Sequence, residues 1–152
     1  MITTKYTNEI YIAPWENTKW LVISSLFWIG PSILAYVNNL YYYAMLLLVT
    51  SIISANYWRK ATYSWRRNLD LFSAKIAFTV FTSNGIYYIR SPTYIITGYT
   101  GLILLVYCYY LSDKLWRIKN NNWYKYHFLF HLIMTYEEII IIDSIIKYHT
   151  IT

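Results

Sequence analysis

Charged side chains are scarce in this chain. Only 13% of its 152 residues are Asp, Glu, Lys or Arg, whereas 57% are hydrophobic. Ordinary soluble domains carry about 25% charged residues. A water-soluble chain of this length could not bury so much apolar surface, so the composition excludes an ordinary soluble domain and favours an integral membrane protein.

Cysteine, proline and glycine are also rare. Cys108 is the only cysteine, so a disulfide within the chain is excluded, and its place in an apolar stretch predicts a buried packing role. Three prolines and four glycines provide no flexible linker. With connections this short, we expect one bundle and no separate soluble domain.

Apolar stretches predict the fold. Each stretch is close to the roughly 20 residues that cross about 30 Å of hydrocarbon as a helix. They cover residues 20–37, 40–57, 69–89, 94–112 and 126–146. We therefore expect an all-α integral membrane helical bundle with about five transmembrane helices. Gly30 and Pro31 predict a kink in the first helix, and Asn38 and Asn39 a tight turn after it.

These stretches also divide the chain. Residues 1–19 are expected to form a cytosolic N-terminal arm, residues 20–146 a single transmembrane bundle, and residues 147–152 a short C-terminal tail. A second interpretation remains open for the last stretch. Its helix could end near Glu137, with residues 139–146 lying in the membrane interface and the C-terminus on the cytosolic side.

Basic residues lie almost entirely on one side of this arrangement. If all five helices cross, one face holds Lys5, Lys19, Arg59, Lys60, Arg66, Arg67, Lys114, Arg117, Lys119 and Lys125. The opposite face holds only Arg90 and Lys147. Short loops rich in Lys and Arg remain cytosolic, so we expect a multi-pass protein with a cytosolic N-terminus.

The formal net charge of +6 does not indicate nucleic acid, because the basic residues flank hydrophobic stretches and form no continuous stripe. Anionic headgroups are the expected counter-charge. Membrane lipids are thus the predicted partners. A homo-oligomer, in which the aromatic helices pack against other copies of the chain, is a further expectation.

Ionisable residues inside the predicted helices indicate a site. His127 and His131 are one turn apart and share a helix face. The third and fifth predicted helices run in the same direction and the second runs in the opposite one. This topology is expected to bring Ser54, Asp70 and the histidine pair to the same depth near the cytosolic boundary.

The chemistry of these residues suits a metal. Two imidazoles with a carboxylate from another helix are ligands that Zn²⁺ accepts, and they leave a position for a water molecule that the metal acidifies. The hydroxyl of Ser54 would then bind or polarise a carbonyl of the substrate.

The same residues carry a family resemblance. They are Ser54 with Trp58 four residues later, the segment 67–74 (RNLDLFSA) around Asp70, and the pair His127 and His131. In this order they resemble the CREST superfamily of membrane hydrolases and receptors. That group includes alkaline ceramidases, adiponectin-receptor-like proteins and enzymes that remodel GPI lipids. Its pattern is a Ser shortly before a His in one helix, an Asp opening the next, and His-x-x-x-His in the last.

The resemblance covers about three helices. It implies hydrolysis of an amide or ester bond in a membrane lipid by zinc-bound water, with Ser54 and Asp70 as catalytic residues and His127 and His131 as metal ligands. The chain departs from the pattern in two respects. The first histidine of the pattern falls at Trp58, which cannot bind a metal, and the family generally has seven helices.

Two other functional classes stay open. Glu137 and Glu138 lie near the middle of the last predicted helix, and Glu138 with His131 could form a proton or ion path. The third class is a non-catalytic structural protein of a membrane, viral membranes included.

The candidate residues also have structural interpretations. Asp70 could cap its helix or pair with Arg66 or Arg67. The histidines could contact headgroups, and Ser54 could serve only helix packing.

Overall fold

A computed structural model of the protein describes residues 12–151. The secondary structure of this part of the chain is helical. Helix α1 spans Trp15–Leu26, α2 Ile29–Val37, α3 Tyr41–Arg59, α4 Trp65–Tyr88, α5 Pro92–Arg117 and α6 Trp123–Ile151. Because α1 and α2 are the halves of one interrupted helix, Trp15–Val37, they correspond to the first predicted stretch. The all-α prediction is confirmed.

The first helix is interrupted one turn before its proline. Pro31 has no backbone N–H, so the carbonyl of Phe27 lacks its usual helical donor. The N–H of Gly30 donates to that carbonyl at 3.0 Å, and the helix breaks at Phe27 and Trp28. The irregularity predicted from Gly30 and Pro31 is therefore present, slightly earlier than the proline itself.

The connection between α2 and α3 is the predicted tight turn. Asn39 has a left-handed φ of 62°, a conformation that asparagine adopts more readily than most residues. The N–H of Leu40 then donates to the carbonyl of Ala35 at 2.9 Å, which completes a Schellman cap at the end of α2. This turn folds α3 back against α2.

Helix α6 lies at the centre of the bundle and packs against α1, α2, α4 and α5. One buried hydrophobic cluster includes Phe81 and Ile142, and a second includes Leu21, Trp58 and Trp123. By contrast, α5 packs chiefly against α6, and α4 and α5 make few contacts with each other. A cleft therefore remains between α4 and α5.

Two helices are long and apolar enough to cross a membrane. They are Trp15–Val37, with a mean hydropathy of 1.7, and Pro92–Arg117, with a mean hydropathy of 1.5. Polar and ionisable residues lower the hydropathy of the other long helices, as His131 and Glu138 do in α6. By length and composition, two helices of the described chain could cross a membrane, whereas the apolar stretches of the sequence predict five crossings.

Apolar side chains cover much of the exterior. Among the large ones that are more than half exposed are Ile33, Val37, Ile86, Ile96 and Ile103. A soluble monomer rarely exposes so many large apolar side chains. The hydrophobic residues of the chain are therefore divided between a buried core and an apolar outer surface.

Three expected boundaries differ from the structure. The first helix begins at Trp15, so residues 15–19 belong to the helix and not to an N-terminal arm; residues 1–11 lie outside the described residues. Helix α6 is continuous to Ile151, so the interpretation that it ends near Glu137 is wrong, and residues 147–151 extend it. An unbroken run of isoleucines explains this continuity, because nothing in it stops a helix.

Candidate functional site

The histidine pair lies at the centre of the bundle. The rings of His127 and His131 face each other with their centroids 5.0 Å apart, as their spacing on one helix face predicts. His131 is only 2% exposed. A side chain this polar requires hydrogen-bond partners when it is buried.

Serines from other helices provide those partners. The hydroxyl of Ser24, in α1, lies 2.7 Å from Nδ1 of His131. The hydroxyl of Ser112, in α5, lies 3.3 Å from Nδ1 of His127. The two imidazoles of α6 are thus connected to the helices on either side of them.

A second group of hydroxyls leads to Asp70. Oγ of Ser25 lies 3.0 Å from Oγ of Ser54, and Ser54 lies beside the buried carboxyl group of Asp70. Ser51 reinforces this contact between α1 and α3 by donating to the carbonyl of Ser25 at 2.8 Å. The predicted residues Ser54 and Asp70 therefore lie side by side, and Ser25 and its chain neighbour Ser24 link them to His131 through α1.

Trp58 occupies the side of the histidine pair that faces α3. Its ring centroid is 4.9 Å from that of His127 and 6.0 Å from that of Trp123, and its side chain is buried. An indole offers an N–H donor and no lone pair for a metal. The position at which the CREST pattern has a histidine thus faces the pair but provides no ligand.

Asp70 neither caps its helix nor forms an ion pair within residues 12–151. The N-cap residue of α4 is Ser64, so Asp70 lies more than one turn inside the helix. The guanidinium of Arg67 lies over the ring of Tyr63, 5.3 Å from its centroid. Asp70 is therefore neither the N-cap of α4 nor an ion-pair partner of Arg66 or Arg67 among the described residues.

These residues do not fit a tightly bound zinc ion. In the part of the chain that the structure describes, no three His, Cys, Asp or Glu side chains are grouped to hold a metal. Asp70 reaches the histidines only through serines, and Trp58 replaces the third imidazole. A catalytic zinc usually has three protein ligands, whereas His127 and His131 provide two.

The predicted path between His131 and Glu138 is interrupted. Met134 lies between them on the same face of α6 and packs in a buried cluster with Trp28 and Leu105. The ring of Trp28 is 5.1 Å from that of His131. Since a proton relay needs consecutive polar groups, this apolar cluster separates the histidine pair from the glutamates.

Sequence reasoning missed the serines that connect the site. Ser24 and Ser25 are fully buried, and two successive hydroxyls inside an apolar helix were the signal that could have revealed them. Ser112 was missed because it ends a predicted helix and resembles an interfacial residue.

No protein family, curated protein or solved structure matches this chain. The resemblance to the CREST superfamily consequently rests on the order of its short motifs, which is an analogy and not evidence of activity.

Proposed function

We propose that this chain is a multi-pass membrane protein in which the histidine pair holds neighbouring helices together through hydrogen bonds. In this proposal the protein does not hydrolyse lipids as it stands. In the proposed topology five helices cross the bilayer with the N-terminus in the cytosol. They are the interrupted helix formed by α1 and α2, and helices α3, α4, α5 and α6. Membrane lipids surround the bundle, and the CREST-like residues form a hydrogen-bonded core in place of a catalytic zinc site.

The apolar exterior and the distribution of charge support the membrane part of the proposal. Ile96 and Ile103 on α5 are 67% and 70% exposed, and in lipid these surfaces need no other cover. Interhelical hydrogen bonds are worth about 0.6 to 2 kcal/mol each in membranes. The contacts of Ser24 and Ser112 with the histidines belong to this class.

The single observation that carries the proposal is the contact between Trp58 and His127. A working zinc site needs a third ligand beside the pair, and the nearest side chain from α3 is an indole at 4.9 Å between ring centroids. This aromatic contact stabilises the junction of α3 with α6 and leaves two imidazoles bound to hydroxyls.

Thermal unfolding in detergent tests this function. Treating the wild-type protein with the chelator 1,10-phenanthroline should leave its unfolding temperature unchanged. The variant His131→Ala should unfold at a lower temperature, because it removes the buried hydrogen bond between Ser24 and His131 at a cost of about 1 to 3 kcal/mol. His149→Ala, at an exposed position near the end of α6, is the matched control and should change little.

A hydrolysis assay completes the test. Wild-type protein in detergent should release no fatty acid from a fluorescent ceramide or a phospholipid ester. A drop in the unfolding temperature with the chelator, or turnover that disappears in His131→Ala, would contradict the proposal.

A further inference from the structure

A cavity lies between α4 and α5, with α6 as its floor. Its volume is about 250 Å³, which exceeds the roughly 150 Å³ of an apolar cavity that accommodates benzene. Most of the lining is apolar or aromatic and includes Phe78, Phe81, Ile95, Leu102, Met134 and Ile141. The cavity has room for the body of a small hydrophobic molecule.

The cavity opens sideways. Helices α4 and α5 make few contacts with each other, and two residues of its lining, Ile86 and Tyr99, are exposed on the outside of the bundle. If the bundle is embedded as proposed above, this opening faces the lipid. A ligand can then enter from the hydrocarbon layer.

Two carboxylates lie in this apolar cavity. Glu138 is 1% exposed and its Oε2 has no hydrogen-bond partner among the described residues, and Oε1 of Glu137 is likewise buried without one. A buried acceptor without a donor is costly, and more so when it is charged. A ligand that brings N–H groups would remove that cost.

Glycines on α5 make room for one of the carboxylates. A Cβ atom at Gly101 would clash with the side chain of Glu137, and one at Gly98 would lie 3.5 Å from its Oε2. Glu137 therefore packs directly against the backbone surface of α5. The carboxylate occupies a space that larger residues at these two positions would close.

The interior of the cavity has no basic side chain between the carboxylates. Arg90 is the only Lys or Arg in its described lining. It follows the end of α4, and its guanidinium lies 5.8 Å from the ring centroid of exposed Tyr87. Arg90 is therefore exposed beyond the end of α4, and the described floor of the cavity holds the two carboxyl groups without a Lys or Arg side chain beside them.

We propose that this cleft binds a lipophilic amine. The protonated amino group donates hydrogen bonds to Glu137 and Glu138, and the apolar body packs against the lining of α4 and α5. This chemistry distinguishes a primary amine from a quaternary ammonium, which lacks N–H donors, and from an alcohol, which lacks the charge.

Three probes with one chain length separate these contributions. Octylamine, octyltrimethylammonium and octanol are titrated by calorimetry into the protein in phosphatidylcholine nanodiscs, and the heat from empty nanodiscs is subtracted. Octylamine should bind at least tenfold more tightly than the other two, and Glu138→Gln should abolish that preference. Glu16→Gln, at an exposed glutamate of α1, is the matched control and should keep it. Equal affinities for the three probes, or a preference retained in Glu138→Gln, would overturn the proposal.

A second variant tests the cavity without touching the carboxylates. Gly98→Leu should fill the space and remove octylamine binding, while Gly98→Ala should retain most of it, since a Cβ there meets only ordinary contacts. Undiminished binding in Gly98→Leu would overturn the assignment to this cleft.

Failure of the membrane proposal would appear separately. In that case an alkaline wash would release the protein from membranes. Failure of the amine site would instead appear as binding of the three probes with equal affinity to a protein that remains in the membrane.

Discussion

The indole of Trp58 lies against the imidazole of His127, with 4.9 Å between the ring centroids. His127 in turn faces His131, its neighbour one turn along α6. A side chain at position 58 is therefore directed at the histidine pair, and its chemical nature decides what the pair can hold.

Replacing Trp58 with histidine should create a metal site. The variant Trp58→His adds a third imidazole beside His127 and His131, and three nitrogen ligands with one water form a tightly held zinc site. We expect zinc affinity in detergent to rise by at least roughly tenfold, because a further ligand joins a preorganised pair. Competition with a fluorescent chelator measures it.

The controls separate the ligand from the space it occupies. Trp58→Phe should leave zinc affinity unchanged, because a phenyl ring provides no metal ligand and still fills most of the buried space of Trp58. Trp58→His combined with His131→Ala should lose most of the gain. An equal gain with and without His131 would show that position 58 does not act with the pair.

Removing the hydroxyl of Ser24 should destabilise the bundle. Its Oγ lies 2.7 Å from Nδ1 of His131, and Ser24→Ala leaves that buried nitrogen without its partner at a cost of about 1 to 3 kcal/mol. Denaturant unfolding in detergent would measure the loss. Ser83→Ala, at an exposed serine of α4, should stay within about 0.5 kcal/mol of the wild type, and similar losses in both variants would remove the special role of Ser24.

Enlarging Gly101 should disturb the junction of α5 and α6. A methyl group there meets the carboxyl end of the Glu137 side chain, so Gly101→Ala should displace Glu137 and cost about 1 kcal/mol, the low end of the range for overpacking, because the end of a side chain can move. The double variant Gly101→Ala/Glu137→Ala should recover part of this loss, because it removes the group that clashes. Gly30→Ala is the control, since a Cβ there meets nothing within 4 Å. No recovery in the double variant would place the strain elsewhere.

The helical fold was predictable from the composition of the chain and from the lengths of its apolar stretches. Apart from the break at Phe27 and Trp28 and the end residues Leu40 and Ile89, the predicted stretches are helical, because apolar runs of this length form helices wherever their backbone groups lack water. The ends were less predictable. Residues such as Glu16 and Lys19 read as a polar arm, yet they pair across one turn of α1 at 2.7 Å and extend the helix beyond its apolar part.

The candidate site was predictable only in part. The proximity of Ser54 and Asp70 follows from the direction of their helices, and the ring contact of His127 with His131 follows from spacing. The connection through Ser24 and Ser25 did not follow, because it depends on the rotation of α1 about its own axis. A single sequence does not specify that rotation.

The orientation in the membrane can be tested by glycosylation. A tag placed in the connection between α3 and α4 should remain unmodified, since the proposed topology puts ten basic residues on that face and two on the other. A tag after Tyr88, in the connection between α4 and α5, should be modified when the protein is made with microsomes. The reverse pattern would invert the topology and move the histidine pair to the opposite side of the membrane.

Metal analysis of the purified protein tests the central claim most directly. Wild-type protein, purified without chelators and dialysed against metal-free buffer, is compared with the double variant His127→Ala/His131→Ala by mass spectrometry of its zinc content. Because the pair is bound to serines and lacks a third ligand, both proteins should contain far less than one zinc per chain. One zinc per chain in the wild type that disappears in the double variant would contradict the account and establish a metal centre at this site.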